Sequence, residues 1–420
     1  MGNKNKTPVL ILNCQIGALA IMRSLGSLGV TLYGVDDDKN APAFASRYCR
    51  GKYVKALDEQ RPQEYLDFVI RIGKQLGEKA ILIPTSDELS VFVAEYADEL
   101  SKYFLFPRND LRLVKELMSK EGMYELATRH GVPTAFTVFP RTLRDVHEYA
   151  DGGAFPVMLK GILGNRLQAR TGVKMMIVHT KEELVEAYKE LEDPDQPNLM
   201  IQEYIPGRDD QIYIFNGYFN EQSECLAGFT GHKIRQFPVH VGCASLGICK
   251  WNQEVADITT AFMKTVGYKG ILDIGYRLDP RNGKYKVLDI NPRVGQAFRL
   301  FVAEDGMDVV RALYKDLIGQ QVLKRPPREG RKWVIEDYDI VSSLHYYQEG
   351  SLGIGDWLRS FKGVEEGAWF SWKDPMPFFL MTARFLKKSA VWLGKRSIRA
   401  NKNTDSQKHR QKTHVKDSSH

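Results

Sequence analysis

Apolar runs of strand length alternate with amphipathic stretches of helix length through residues 1–110. Val9–Leu12 is an unbroken apolar run, which predicts a buried strand. Ala18–Leu28 carries apolar residues at helical spacing and is closed by Gly29. Val30–Val35 predicts a second strand running into Asp36-Asp37-Asp38. Glu64–Leu76 predicts a helix, and Ala80–Pro84 a third strand leading to Thr85-Ser86-Asp87-Glu88. Strand–helix–strand order predicts a Rossmann-like parallel sheet. Its crevice lies beyond the strand C-termini, where Asn13–Gly17, Asp36–Asp38 and Thr85–Glu88 gather. The segment lacks a GxGxxG, since Cys14-Gln15-Ile16-Gly17 offers one glycine, so dinucleotide binding has little support. Asp36–Asp38 reads as a solvated loop or as the receiver of an amine-bearing ligand.

Beyond residue 110 the pattern changes to α+β. Leu111–His130 reads as helices, and Gly131-Val132-Pro133 breaks them before an extended Thr134–Phe139. Phe155–Lys160, Ile177–Val178 and Leu199–Tyr204 read as strands; Lys181–Leu191, Glu254–Val266 and Val302–Leu317 read as helices. Gly270–Arg293 supplies further strands. Residues 321–400 form an aromatic and basic extension. Within it Pro377–Arg399 predicts a helix with Phe378, Met381, Phe385 and Trp392 near one face. Residues 401–420 are polar and predicted to be disordered.

Composition narrows the class. A hydrophobic fraction of 43% with 26% charged residues fits a globular chain, and 420 residues exceed one typical domain. The five cysteines form no CxxC pair, so neither a disulfide framework nor a zinc site is expected, and a reducing cytoplasm fits. Met1–Lys6 followed by Val9–Leu12 has the look of a signal peptide, but the apolar run is too short and Asn13 interrupts it. No apolar run of transmembrane length occurs. The net charge of +7 is concentrated at one end. From Lys387 onward ten Lys or Arg stand against two Asp, a net of +8, which leaves −1 for the remainder. A nucleic-acid-binding core is therefore not expected.

The chemistry-bearing stretch is Leu288-Asp289-Ile290-Asn291-Pro292-Arg293. Side chains alternate along a strand, so Asp289, Asn291 and Arg293 point one way. Asp289 and Asn291 offer hard oxygen ligands for Mg²⁺, and Arg293 a planar fork for phosphate oxygens. Asp273 and Asp279 lie on the preceding strand. Lys160 ends another strand and is followed by Gly161-Ile162-Leu163-Gly164-Asn165-Arg166, read as a mobile loop that closes its N–H groups over phosphates. Gln202-Glu203-Tyr204-Ile205-Pro206-Gly207 reads as a strand that breaks into a linker. Its Glu203 and backbone can read an adenine edge, and Asp209 or Asp210 can take ribose hydroxyls. Lys233 and Arg235 alternate onto one face and are candidates for holding a substrate carboxylate or the γ-phosphate. His232 reads as a surface histidine, and Gly242 and Ser245 as lining of an acceptor pocket.

In order and spacing these four signals resemble the ATP-grasp superfamily over residues 110–320, with residues 1–110 resembling the domain that usually precedes it. The look of Tyr276–Pro280 and Gly295–Phe301 is similar to carboxylate–amine ligases of the D-aspartate ligase kind. The resemblance implies an N-terminal Rossmann-like domain (1–110) and a two-subdomain ATP-grasp domain (111–320) with a nucleotide between the subdomains. It implies Lys120 and Lys160 at the phosphates, Glu203 and Ile205 at the adenine, and Asp209 or Asp210 at the ribose. Asp289 and Asn291, with Asp273, would hold Mg²⁺ (or Mn²⁺), and Arg293 would steady an acyl phosphate. The chain departs from the pattern at Gly275, where many relatives carry Glu, Gln or Asp; Asp273 or a water is expected to substitute. The implied reaction is ATP-dependent joining of a small-molecule carboxylate to an amine, the acceptor being free or lipid-linked. A homodimer is a further expectation, and the aromatic and basic pattern of Pro377–Arg399 reads either as a helix packed on the core with a soluble tail or as contact of 375–400 with the inner face of an anionic membrane. A bicarbonate-using carboxylase and a non-catalytic nucleotide-binding regulator of envelope synthesis are the alternatives.

Overall fold

The computed structural model describes residues 6–387. Val9–Leu12 is buried on both faces, as an unbroken apolar run requires. It is the middle of five parallel strands in the order Cys49–Val54, Leu32–Asp36, Val9–Leu12, Ala80–Pro84 and Phe104–Leu105. The helix Ile16–Gly26 is apolar nearly all round, so it needs cover on every side. It finds that cover between the parallel sheet and a second, larger sheet: Leu19 and Leu25 share one core with Ile214, Tyr218 and Leu313. The next helix, Pro62–Leu76, opens on proline and closes on Gly77 at φ +76°, a conformation that glycine adopts without Cβ strain.

The larger sheet has seven strands, ordered Lys284–Asn291, Gly270–Asp279, Ile212–Phe219, Cys225–Phe237, Cys243–Cys249, Lys332–Val334 and Val364–Gly367. Only the last pair is parallel. Its two faces follow strand alternation. Ile214 and Tyr218 face the N-terminal domain, while Phe215, Phe219, Leu272, Ile274 and Tyr276 pack against the helices Lys120–Arg129 and Gln253–Thr265. A third, antiparallel sheet, ordered Thr137–Val138, Leu199–Glu203, Val157–Gly161 and Met175–Val178, is covered on one side by the helices Leu143–Gly152 and Lys181–Leu191. Its other side bears Lys160 and Met200, cross-strand partners, toward the large sheet.

Three expectations change. The segment 161–166 is not simply a loop: a helix spans Gly164–Thr171. The turn before it is pinned by Asn198, whose carbonyl takes the Ile162 N–H at 2.7 Å and whose Oδ1 takes the Leu163 N–H at 2.8 Å. The helix expected from Val302 begins only at Val309, because the Asp308 carboxylate accepts the Val310 and Arg311 N–H groups and so fixes the start there. Residues after 330 contribute two strands to the large sheet that their sequence does not announce.

The C-terminal region is fastened to the first helix by Arg23. Its guanidinium donates to Asp374 and to the carbonyls of Ala368, Trp369 and Asp374. A last helix starts at 376 and runs to the limit of the described residues. The remainder of the helix expected to reach Arg399, and the tail 401–420, lie outside them. No helix among the described residues is long and apolar enough to cross a membrane.

Candidate active site

The strands Gly270–Asp279 and Lys284–Asn291 are neighbours, with Asp273 opposite Asn291 and Gly275 opposite Asp289. Directly opposed residues share a face. Asp273, Gly275, Asp289 and Asn291 therefore line one surface, while Leu272, Ile274 and Ile290 anchor the other in the core. Leu288 is an extra residue between the 275–289 and 276–287 pairs, and its carbonyl accepts the Tyr124 hydroxyl at 3.1 Å. Asn291 Nδ2 donates to Asp289 Oδ2 at 3.1 Å, and Arg293 Nη2 donates to Asn291 Oδ1 at 3.3 Å. Arg293 Nε also pairs with Asp87, at the start of the helix Asp87–Glu95 in the N-terminal domain. Asp87 was not singled out as a partner of Arg293 in sequence, since nothing local links residues 206 positions apart.

Gly275 is explained by its neighbour. A Cβ there would lie 2.5 Å from Asp289 Oδ1, so the glycine is the space into which Asp289 leans. Gly295 does the same for Asp273, whose Oδ2 would be 1.8 Å from an added Cβ.

The electrostatics divide the two carboxylates. Burial, and then the nearby charge of Asp289, raise Asp273 to about 6, against the pull of Arg293 and Lys233. Burial would raise Asp289 too, but Lys120, Lys233, the Asn291 amide and Lys160 outweigh it and hold that carboxyl below its ordinary value. Two carboxylates that repel each other beside an amide oxygen form a donor set short of positive charge. That set fits Mg²⁺, which takes one or two protein carboxylates and fills its other positions with water and phosphate oxygens. Among the described residues no group of three His, Cys, Asp or Glu gathers in the manner of a zinc site.

Cations converge on the same place. Lys160 stands on Val157–Gly161, and Lys120 opens the helix Lys120–Arg129, whose cap is Ser119. Burial, then the charge of Lys120, bring Lys160 down to about 7, with Lys174 adding to the effect and Asp289 opposing it. Lys174 was not read from the sequence; it lies just before the strand Met175–Val178 with no motif to mark it. Lys233 Nζ is held by the Gly242 carbonyl at 2.8 Å and Gln236 Oε1 at 3.3 Å.

The linker differs in detail from its reading. Gln202 is buried and donates to Thr137, bracing the edge strand. The Glu203 carboxylate is engaged by Lys286 at 2.7 Å, by Arg281 and by the Phe136 N–H, so it is not free to read an adenine edge. Ile205, two residues on, is buried. Asp209 accepts from the Tyr346 hydroxyl at 2.6 Å and lies 3.1 Å from His240, while Asp210 pairs with Arg208. Both candidate ribose carboxylates thus already have protein partners. Beside Gly207, Gln211 Oε1 and Arg277 Nε are buried with no hydrogen-bond partner among the described residues, the signature of polar atoms that await one.

Arg235 does not share a face with Lys233. The ladder to Cys243–Cys249 shifts register on both sides of Arg235, which turns its side chain into the protein. There it forms a buried two-point bond to Asp339, at 2.8 and 2.9 Å, and a third to Ser360. It is a structural ion pair rather than a substrate ligand. Ser245 is likewise buried, against Asp339 and Ser342. His232 is not a surface histidine: it is half-buried, beside Tyr213, and its buried Nδ1 has no hydrogen-bond partner among the described residues.

No family model matches the chain. In sequence it is 24% identical over 335 residues to D-aspartate ligase of Enterococcus faecium, a match that spans 75% of this chain and 77% of that one. In structure it resembles the L-amino acid ligase of Bacillus licheniformis, with a TM-score of 0.56 at 15% identity, covering 78% of this chain and 76% of that one. It also resembles the biotin carboxylase domain of the Hydrogenobacter thermophilus 2-oxoglutarate carboxylase, with a TM-score of 0.59 at 16% identity over 79% and 74% of the two chains. A third likeness is N5-carboxyaminoimidazole ribonucleotide synthetase from Thermus thermophilus, at 0.59 and 15% over 77% and 82%. In sequence the chain is thus similar to D-aspartate ligase, and in fold it resembles an L-amino acid ligase, a biotin carboxylase domain and an N5-carboxyaminoimidazole ribonucleotide synthetase.

Proposed function

We propose that the protein uses ATP to activate a carboxylate as an acyl phosphate and passes the acyl group to an amine, with ADP and phosphate as the other products. The observation that carries this reading is the surface formed by Asp273, Asp289 and Asn291, with Lys120, Lys160 and Lys233 close enough to shift their carboxyl groups or one another. Such a surface handles a polyanion and a cation together.

A carboxylate is a poor electrophile at neutral pH, and its phosphorylation supplies the leaving group. Lys120 and Lys160 hold the nucleotide phosphates, and Lys160 donates best while it keeps its proton. Asp273, Asp289 and Asn291 would ligate Mg²⁺, which when bound draws charge from the transferring phosphoryl group. Arg293, braced by Asn291 and Asp87, sits at the edge of this surface and steadies the acyl phosphate. Lys233 orients the carboxylate. The amine attacks the acyl carbon, a C–N bond forms as the C–O bond to phosphate breaks, and the nitrogen loses its proton to solvent. No enzyme nucleophile is required. The crevice of the N-terminal sheet, beside Asp87, is the side from which an acceptor amine approaches.

The E. faecium relative bears the name D-aspartate ligase, which favours an amino acid as the carboxylate. A lipid-linked acceptor, a cytoplasmic location and a homodimer complete the reading; the Hydrogenobacter domain is a dimer in its complex with MgADP, ADP and bicarbonate. The test is Mg²⁺-dependent ADP release across a panel of amino acids, other carboxylates and bicarbonate, with and without amines. Release that requires one amino acid and one amine supports the ligase. Release driven by bicarbonate alone would make the protein a carboxylase, and ATP binding without release under any condition would make it a nucleotide-binding regulator.

A further inference from the structure

The last described helix, 376–387, is apolar on two sides. Its inner side carries Phe378 and Met381, which pack on the main core, and Arg384 ties it to Asp38 at 2.8 Å. Its outer side, where a docked helix ordinarily shows charge, instead lines up Met376, Phe379, Ala383 and Leu386, and Trp372 stands exposed in the turn just before it. The spacing of 3, 4 and 3 residues from Met376 to Leu386 makes one continuous stripe along the helix. Trp372 is 88% exposed, Met376 and Phe379 59% each, and Leu386 61%. Phe370 props the stripe from below, in edge contact with both Trp372 and Phe378. The exposed flanks are basic, Lys373 at one end and Lys387 at the other. Between Asp374 and Asp405 the sequence has seven Lys or Arg and no acidic residue.

We infer that this stripe is a docking face for an anionic lipid surface. A tryptophan-bearing apolar face bordered by lysine and arginine matches the boundary between acyl chains and headgroups, where rings insert and cations meet negative lipid charge. A second copy of the chain is the poorer occupant. In a twofold dimer the same face meets itself, so each cationic flank would oppose another of the same sign. Asp38 and Asp374 are engaged by Arg384 and Arg23.

The full chain is tested by co-sedimentation with phosphatidylcholine vesicles and with phosphatidylglycerol–phosphatidylcholine vesicles, alongside the double variant Trp372→Ser, Phe379→Ser. Both residues are exposed, so the variant keeps its fold, which the melting temperature checks. The full chain binds the anionic vesicles in a salt-sensitive way, and the variant binds them at least about tenfold more weakly. The inference is overturned by no binding to anionic vesicles, by equal binding to neutral ones, or by undiminished binding of the variant. It is also overturned if sedimentation velocity shows the two substitutions dissolving a dimer while leaving vesicle binding intact. Binding is read without turnover, so its outcome is independent of the ligase reading.

Discussion

Gly275 and Asp289 face each other across two strands, and the Asp289 carboxylate occupies the space that a side chain at 275 would need. Asp273 stands on the same surface, in the next same-facing pair along the two strands.

Gly275→Ala should therefore push Asp289 off the surface it shares with Asn291. The expected result is a loss of kcat of roughly ten- to hundredfold, the usual cost of misplacing a metal ligand, with little change in melting temperature. Unchanged kcat and unchanged Mg²⁺ affinity would show that the contact is unimportant.

The pH dependence of metal binding follows from Asp273, which is raised to about 6 by burial and by Asp289. Protons compete with the cation below that value, so Mg²⁺ affinity of the ligand-free protein should rise with pH up to about 6 and level off above it. Asp273→Asn should flatten the profile. Isothermal titration at a series of pH values reads both effects.

Lys160 presents the opposite sign. Its folded value of about 7 lies below that of the unfolded chain, so the charged form is disfavoured by folding. Stability of the free protein is reduced below about pH 7 and recovers as pH rises from there toward the unfolded value. Lys160→Met should raise the melting temperature at pH 6 and lower ADP formation about a hundredfold. For the native enzyme, kcat/KM for MgATP should fall as pH rises through about 7. A destabilised methionine variant would contradict a charged Lys160 disfavoured by burial.

Asp87, at the start of the helix Asp87–Glu95, braces Arg293. Asp87→Ala should lower kcat roughly tenfold while leaving the affinity for ATP near its original value, because the group it aims acts at the acyl phosphate. An effect on ATP affinity alone would assign Asp87 elsewhere.

Much of this was legible in the sequence, for identifiable reasons. Val9–Leu12 and Ala80–Pro84 are short apolar runs whose neighbours forbid helix, and both are strands with those bounds. Asp289 and Asn291 share a face because strand alternation holds locally. Alternation fails at Arg235, where register shifts flank the residue and its partner Asp339 lies 104 positions away. Glu203 looked free because Arg281 and Lys286 reach it from the far strand pair, 78 and 83 positions on. Gly161 and Gly164 suggested a loop, yet a helix begins at the second of them once Asn198 fixes the turn. Arg235→Ala separates these two kinds of residue. It should cost about 3–5 kcal/mol of stability in denaturant unfolding by leaving Asp339 buried without its cation, with catalysis lost only as the fold is lost.

The proposed reaction forms an acyl phosphate beside Asp289 and Arg293. Hydroxylamine intercepts such a species as a hydroxamate, so the decisive measurement is hydroxamate formation with MgATP and the carboxylate that drives ADP release. One hydroxamate per ADP, abolished in Asp289→Ala and Lys160→Ala, is the predicted result. ADP release that proceeds with no hydroxamate at saturating hydroxylamine would contradict it.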